Sequence, residues 1–294
     1  MIAPRRFLPS IRSLLALEAV DRLGGASAAA QDLSLTHSAV SRQLKVLEEQ
    51  IGVALLVRQG RHLTLTPAGA DYARAVRACL QDLARASLKL RASGSQDALS
   101  LAILPAFGTH WLGPRLARFA GRHPEVVVHL STRLAPFDFA QEKFDAAIHY
   151  GARDWPGVAY LELAQERVVP ACAPGLLAQA ASDPAALLRL PLLHLDSRPG
   201  AWEEWFEAQG CRADDLRGML FDQFTTMAEA AALGLGVALL PDFLAEKEIA
   251  AGRLIRAFPQ AVATPGRYYL VWPSLRRPNT ALDRFIAWLR ASPS

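Results

Sequence analysis

The sequence predicts an N-terminal all-α winged helix-turn-helix module, a long linker helix and a C-terminal α/β domain. Three observations carry that prediction. Up to residue 66, short helical stretches separated by tight turns lead into a basic hairpin. Residues 67–92 form one uninterrupted helical pattern with a narrow apolar seam. Beyond a small, polar hinge at 93–97, strands and helices alternate through 98–294, the mark of a mostly parallel sheet.

In the first region, Ser10 is placed to cap a helix that runs to about Leu23 and stops at Gly24-Gly25. Ser27 is placed to cap a second helix from Ala28 to about Leu33, with Ala29 and Ala30 small enough for close helix approach. After the Ser34-Leu35 turn, Thr36 caps a third helix from His37 to about Gln50, ended by Gly52. Leu33, Leu35, Val40, Leu44 and Leu47 are the expected core. Thr36, His37, Ser38, Ser41, Arg42 and Lys45 are left along the opposite face and leading end of the third helix.

That face suits a DNA major groove. Hydroxyls at a helix start reach phosphates or base edges, His37 and Arg42 donate to guanine acceptors, and Lys45 reaches a phosphate one turn on. An ordinary solvated helix presents a similar face, so the neighbouring segment matters. Val53 to Thr66 reads as two short strands around Gln59-Gly60 with Arg58 and Arg61 at the turn, a basic wing placed for the adjoining backbone or minor groove.

Thr66-Pro67 restarts a helix, Thr as cap and Pro at its first position. Along it Tyr72, Val76, Cys79, Leu83, Ala86 and Leu90 alternate in steps of four and three, a heptad seam for pairing with a second copy of the chain. The same stripe would also serve a helix packed on its own domain.

Composition bounds the rest. The 294 residues are 51% hydrophobic and 20% charged, the balance of a folded protein with room for two or three modules. No apolar run approaches the ~20 residues of a membrane-spanning helix. The basic residues before the first apolar stretch resemble an export signal, but Glu18 and Asp21 follow at once and no small-residue cleavage site is present. The segment therefore reads as an amphipathic helix and the chain as cytoplasmic. Cys79, Cys172 and Cys211 lie far apart, without C-x-x-C or His spacing, so neither a disulfide framework nor a metal or other cofactor is expected. Residues 1–92 carry 13 Lys and Arg against 7 Asp and Glu, whereas the remainder carries 19 against 21. The excess positive charge thus sits where a polyanion would bind.

The segments THSAVSRQLKVLEEQIGVALLVR and RHLTLTPAGADY, from Thr36 to Tyr72, strongly resemble the LysR-type transcriptional regulators. They look most like the subgroup of glycine-cleavage activators and β-lactamase regulators. GTHWLGPRLARFAGRHPEVVVHLST, FDAAIHYG, WPGV, EAAALGLGVALLP, RLIRAF and YYLVWP continue the resemblance in order along nearly the whole chain. The resemblance implies a homodimer or homotetramer on double-stranded promoter DNA that acts on RNA polymerase. It also implies a C-terminal domain of two Rossmann-like subdomains, like a periplasmic binding protein, with a small-molecule effector in the cleft. Subdomain I would span about 98–168 and 270–294, and subdomain II about 169–269. Two positions depart from the pattern. Ala26 stands where a larger apolar residue is common, and His149 stands where this subgroup often has arginine.

Within that domain Leu99 to Leu104 reads as a buried strand running into Pro105-Ala106-Phe107-Gly108, after which Thr109 would cap a helix from about His110. Phe224-Thr225-Thr226 would similarly precede a helix from Met227 to Leu233. Two helix starts facing each other across a cleft present free N–H groups to an anionic effector. Phe107, Thr109, Thr225 and Thr226 are the expected contacts, with His149 on the cleft floor and Arg133 and Tyr268 nearby; helix capping and core packing are the alternatives for these positions. Gly234-Leu235-Gly236 follows a helix and precedes a strand, the wrong order for a dinucleotide loop, and reads as a tight turn. Trp202 and Trp205 read as core. Catalytic motifs such as G-x-S-x-G, H-E-x-x-H and the Walker A loop are missing from the sequence. A solute-binding protein would account for the C-terminal part alone, and an architectural DNA-binding protein would leave the effector domain idle.

Overall fold

A computed structural model of the chain describes residues 3–4, 7–59, 62–93, 97–177, 179–214, 216–276 and 278–291. The chain divides into two compact units, Met1–Gly94 and Ser95–Ser294.

In the first unit α1 (Ile11–Leu23) begins where the Ser10 hydroxyl accepts from the Ser13 N–H, and ends where Gly24 adopts a left-handed φ of 75°. The second helix, α2 (Ala26–Asp32), starts two residues earlier than expected. Its N-cap is Gly25, so Ser27 lies inside the first turn and caps nothing. Extending the helix to Ala26 buries that side chain with Ala16, Ala29 and Ala30, and the small residues let α1 and α2 approach closely. α3 (His37–Ile51) is capped by Thr36, whose Oγ1 accepts from the Ala39 N–H at 3.2 Å. Val40, Leu44 and Leu47 fill the core as expected. Leu35 does not. Its N–H closes the turn onto the Ala30 carbonyl at 2.8 Å, and its side chain stays exposed.

β1 (Leu56–Gln59) and β2 (His62–Leu65) form the expected antiparallel hairpin, Leu56 opposite Leu65 and Gln59 opposite His62. Arg61 and the side chain of Arg58 lie outside the described residues. At the base of the hairpin Thr66 both donates to the Ala54 carbonyl (3.0 Å) and accepts from the Gly69 N–H (3.0 Å), starting α4 (Pro67–Ser93). Gly69 is required here because a Cβ would lie 2.0 Å from the Leu55 carbonyl oxygen. Arg77 then ties α4 to α1 through Glu18 (3.0 Å) and Asp21 (2.6 Å).

The second unit is one nine-stranded mixed sheet with helices packed on it. Its elements in chain order are β3 (Asp97–Ile103), α5 (Pro105–Phe107), a π-helical turn, α6 (Gly113–Arg122), β4 (Val126–Thr132), β5 (Ala146–Gly151) and β6 (Val158–Cys172). There follow β7 (Leu192–Leu195), α7 (Ala201–Ala208), β8 (Gly218–Phe221), α8 (Phe224–Ala232), β9 (Val237–Pro241), α9 (Asp242–Ala250), β10 (Ile255–Arg256), β11 (Val262–Pro273) and α10 (Thr280–Ala291). The strand order is β4-β3-β5-β11-β6-β9-β7-β8, with β10 beside β6.

The expectation of a mostly parallel sheet holds only at its two ends. β4-β3-β5 and β9-β7-β8 are parallel. Between them the long strands β6 and β11 run antiparallel to each other and to their neighbours. The chain passes out along β6 and returns along β11, which makes their pairing antiparallel. Each half has its own core, with Leu101, Phe119 and Phe285 on one side and Val169, Leu193 and Leu240 on the other. Trp202 and Trp205 are core residues as expected, the Trp202 Nε1–H donating to the Leu193 carbonyl at 2.9 Å. Gly234, at φ 83°, makes the tight turn from α8 to β9.

Candidate functional site

The outer face of α3 is built as the sequence predicts. His37, Ser38, Arg42 and Lys45 are exposed, Ser41 is half-buried, and Thr36 bonds Ser38 at 3.0 Å. Lys45 lies 3.8 Å from Glu49, an exposed pair of small energetic weight, and Arg42 makes no ion pair among the described residues. The apolar side of α3 is buried and Ser13 of α1 donates to Gln43 at 2.9 Å, so the polar face is held outward on a fixed base.

Sequence reasoning missed the residue that positions the hairpin. Glu48, on the last turn of α3, accepts from the backbone N–H groups of Leu55 (2.7 Å) and Leu56 (3.0 Å). One carboxylate thus sets the first strand of the wing against the helix.

The seam on α4 divides in two. Val76 is buried and Tyr72 half-buried against the unit's own core, with Ala73 between them, so Val76 is not available to a partner chain. Leu80 is the last residue of the helix packed on that core. Cys79, Leu83, Ala86 and Leu90 are exposed, and so is Leu88 off the seam; Leu90 is 72% exposed.

In the second unit a cavity of about 340 Å³ opens where β3, β4, β7 and β8 end. Crevices at the carboxyl ends of parallel strands are where α/β sheets hold ligands. Phe107, Arg133, His149 and Tyr268 line it, as expected. Thr109, Thr225 and Thr226 do not. The helix after β3 begins at Pro105, whose missing N–H costs nothing at a first turn, so Thr109 lies beyond that turn and is exposed. The chain continues through a π-helical turn, Gly108–Leu112, into α6. Pro114 has no N–H for a regular helical bond there, and the Gly113 N–H reaches back to Gly108. α8 likewise begins at Phe224 rather than Met227. Thr225 and Thr226 thus fall within its first turn, and the Thr226 hydroxyl donates to the Gln223 carbonyl at 2.9 Å.

Aromatic packing fixes the floor and one wall. Phe107 stacks on Tyr268 with ring centroids 4.1 Å apart and on Trp111 at 4.6 Å. His149 is buried; its Nε2–H donates to the Ala152 carbonyl at 3.0 Å and its ring packs against Trp155 and Tyr269. Arg133 is engaged by Glu142, at 2.6 Å from Nη2, and lies over Phe144. The carboxylate holds the guanidinium pKa above its ordinary value, and Arg133 in turn lowers that of Glu142.

A cation that sequence reasoning missed sits at the centre. Arg198, in the Ser197-Arg198-Pro199-Gly200 turn after β7, lies with its guanidinium 3.4 Å above the Tyr150 ring. Its Nη1 donates to the Ser197 carbonyl at 3.0 Å, and its Nε stands 3.7 Å from Glu166. Glu166, only 1% exposed, accepts from the Tyr268 hydroxyl and from Thr264 (3.3 Å), which in turn bonds Tyr150 (2.9 Å). Burial first, and the Glu166 charge second, push the Tyr268 hydroxyl well above its usual pKa and that of Tyr150 to about 12. Both remain hydrogen-bond donors at neutral pH. Next to Arg198, Phe224 opens α8, whose N-cap residue Gln223 makes no side-chain bond to the first-turn N–H groups.

Comparison with known proteins places both units. Residues 11–70 match the family model of the bacterial regulatory helix-turn-helix protein, lysR family, and residues 92–294 match that of the LysR substrate binding domain. The chain is 36% identical over 290 residues to the HTH-type transcriptional regulator TrpI of Pseudomonas aeruginosa, covering 97% of this chain and 98% of that one. It is 32% identical over 287 residues to the glycine cleavage system transcriptional activator of Escherichia coli, covering 97% and 94%. Among solved structures, the effector domain of the transcriptional regulator AmpR of Pseudomonas aeruginosa aligns with a TM-score of 0.60 at 36% identity, over 66% of this chain and 93% of that domain. CrgA of Neisseria meningitidis, a LysR-type transcriptional regulator, aligns with a TM-score of 0.57 at 28% identity, over 95% and 97%.

Proposed function

The chain belongs to the LysR family of bacterial transcriptional regulators, and from that premise we propose how its own residues read DNA and sense an effector. Its activity is regulatory rather than enzymatic. The outer face of α3 enters the major groove, where His37, Ser38 and Arg42 address base edges while Thr36, Ser41 and Lys45 hold phosphates. Ser27, at the start of α2, contributes a backbone contact. Arg58 or Arg61 of the wing reaches the flanking minor groove. The observation that carries this reading is the exposed face of α3 itself, with Arg42 uncommitted on a helix whose other side is locked into the core.

Residues 1–66 act as the DNA-binding module and 67–92 as the pairing helix, with Cys79, Leu83, Ala86 and Leu90 meeting a second copy. Residues 98–294 act as the effector domain, divided into about 98–168 with 270–294, and about 169–269. The effector occupies the cleft lined by Phe107, Arg133, His149 and Tyr268. An anionic effector is favoured by Arg198, which Glu166 holds only at 3.7 Å, and by the first-turn N–H groups of α8 beside it. Binding closes the two halves on the cleft and changes how dimers associate, and through that the bending of promoter DNA and contact with RNA polymerase. Such a ligand acts only by its differential affinity for the two states. The site of action is the cytoplasm, where promoter DNA lies; no described helix is long and apolar enough to cross a membrane.

Footprinting of the full chain on the intergenic DNA upstream of its own gene tests the reading. Two protected half-sites spaced by whole helical turns, about 10 base pairs or a multiple, are expected. One unbroken, sequence-independent footprint would overturn it.

A further inference from the structure

The charged groups that line the effector cleft are not all paired. Two arginines and a histidine face it. Glu142 holds Arg133 through Nε and Nη2, and the His149 Nε2–H is spent on the Ala152 carbonyl. Arg198 is different. Its Nη1 bonds only Ser197, its nearest carboxylate stands at 3.7 Å, and Nη2 makes no hydrogen bond among the described residues. The cleft therefore offers one cation to an anionic group.

Two carboxylates stand beside it. Asp196 and Asp222 directly follow β7 and β8, whose last residues Leu195 and Phe221 are partners in parallel register. The Asp196 N–H continues that ladder to the Phe221 carbonyl at 2.9 Å. Neighbouring strands run about 4.8 Å apart, so the two acids lie side by side at the strand ends. Both line the cavity and are exposed, and neither side chain has a hydrogen bond or ion pair among the described residues. Like charges at paired positions repel, and a cation between them removes that cost. Among the described residues no group of three or more His, Cys, Asp or Glu is placed to hold a metal ion, which favours an organic ammonium. Each acid also stands two residues before an element suited to an anion: Asp196 before Arg198, and Asp222 before Phe224 at the start of α8. Positive and negative partners thus lie close together on one side of the cleft. Across from them Leu134 is exposed, and Phe137 and Trp155 are half-buried, so all three present apolar surface to the cavity.

We propose, resting on the reading of this cleft as the effector site, that the effector is a zwitterionic α-amino acid with an apolar side chain. Its carboxylate meets Arg198, its ammonium lies between Asp196 and Asp222, and its side chain lies against Leu134, Phe137 and Trp155.

Isothermal titration of the full chain with L-phenylalanine, 3-phenylpropionate and 2-phenylethylamine tests it, because the three share a ring and differ in their charges. Phenylalanine is expected to bind about tenfold more tightly than either of the others. Asp196→Asn combined with Asp222→Asn, both at exposed positions, should abolish the advantage over the acid, while the acid itself binds no less tightly. Ala135→Trp, at an exposed position that lines this cavity, should weaken all binding. The acid binding as tightly as phenylalanine, an advantage that survives the double substitution, or no binding of phenylalanine would each overturn the proposal. If the acid or the amine still bound and Ala135→Trp removed that binding, the cleft would stand as the effector site without this ligand class. Binding that Ala135→Trp leaves untouched would overturn the reading of the cleft as well.

Discussion

Replacing Gly69 with alanine tests how the wing is joined to α4. The new Cβ would lie 2.0 Å from the Leu55 carbonyl oxygen and 2.9 Å from its carbon, and both are backbone atoms that no rotamer change can move. Relief needs a shift of more than an ångström in the segment that Glu48 holds through the Leu55 and Leu56 N–H groups. Overpacking of this kind costs about 3 kcal/mol at the upper end of its usual range. Alanine in place of glycine on a helix returns about 1 kcal/mol. The steric cost wins, leaving a net loss of about 2 kcal/mol, or roughly 8–16 °C in the midpoint of a domain of this size. Differential scanning calorimetry of the full chain reads this as a fall in the transition of the first unit, and specific DNA binding should weaken with it. Gly121→Ala is the comparison. That glycine lies within α6 with nothing within 4 Å of the added Cβ, so the transition of the second unit should hold or rise. An unchanged or raised midpoint for Gly69→Ala would refute the close approach at Leu55.

Three further outcomes are expected. Arg42→Ala should weaken operator binding by about 1–3 kcal/mol in a fluorescence anisotropy titration while sparing scrambled DNA; equal losses on both would reduce Arg42 to a phosphate contact. Leu83→Asp should shift the chain to a smaller species in sedimentation velocity while its circular dichroism at about 25 °C stays that of the folded chain, because Leu83 is exposed within the unit; an unchanged oligomer would remove α4 from the interface. Burial pushes the Cys172 thiol from the ordinary 9.0 up to about 11. A folded-state pKa raised in this way contributes stability that is whole below pH 9 and lost as pH rises toward 11. The melting temperature of the second unit should therefore fall across that window, less steeply in Cys172→Ala, and an identical slope in the variant would contradict the assignment.

Most local signals in the sequence are legible in the structure, Ser27 excepted, because α2 already begins at Ala26. Ser10, Thr36 and Thr66 cap helices where their positions predict, and Gly24 and Gly52 stop them, because a cap needs only its own few residues. Trp202 and Trp205, three apart on one helix, read as core and are buried. What failed depended on neighbours distant in the chain. The seam of α4 has the right period throughout, but periodicity does not say which partner buries it, and the first unit's own core takes Val76. Phe107, His149 and Tyr268 line one cavity of the second unit, together as the sequence reading groups them. The threonines were misplaced because Pro105 and Phe224 start their helices early, and the strand-to-helix boundary is set by packing rather than by the nearest capping residue. Arg198 and Glu166 were missed because nothing in a turn after β7 or in the middle of β6 marks a charge as central until the sheet brings both to Tyr150 and Tyr268.

The central claim is that this protein reads a DNA sequence with α3. It is tested most directly by titrating the full chain onto its own upstream DNA and onto a scrambled duplex of equal length across a salt series. The account predicts operator dissociation constants in the range of about 10⁻⁸–10⁻¹¹ M at physiological salt, tighter than the scrambled duplex by about a thousandfold or more. Equal affinities that fall together steeply with salt would contradict it, leaving α3 and the wing as a surface for phosphates alone.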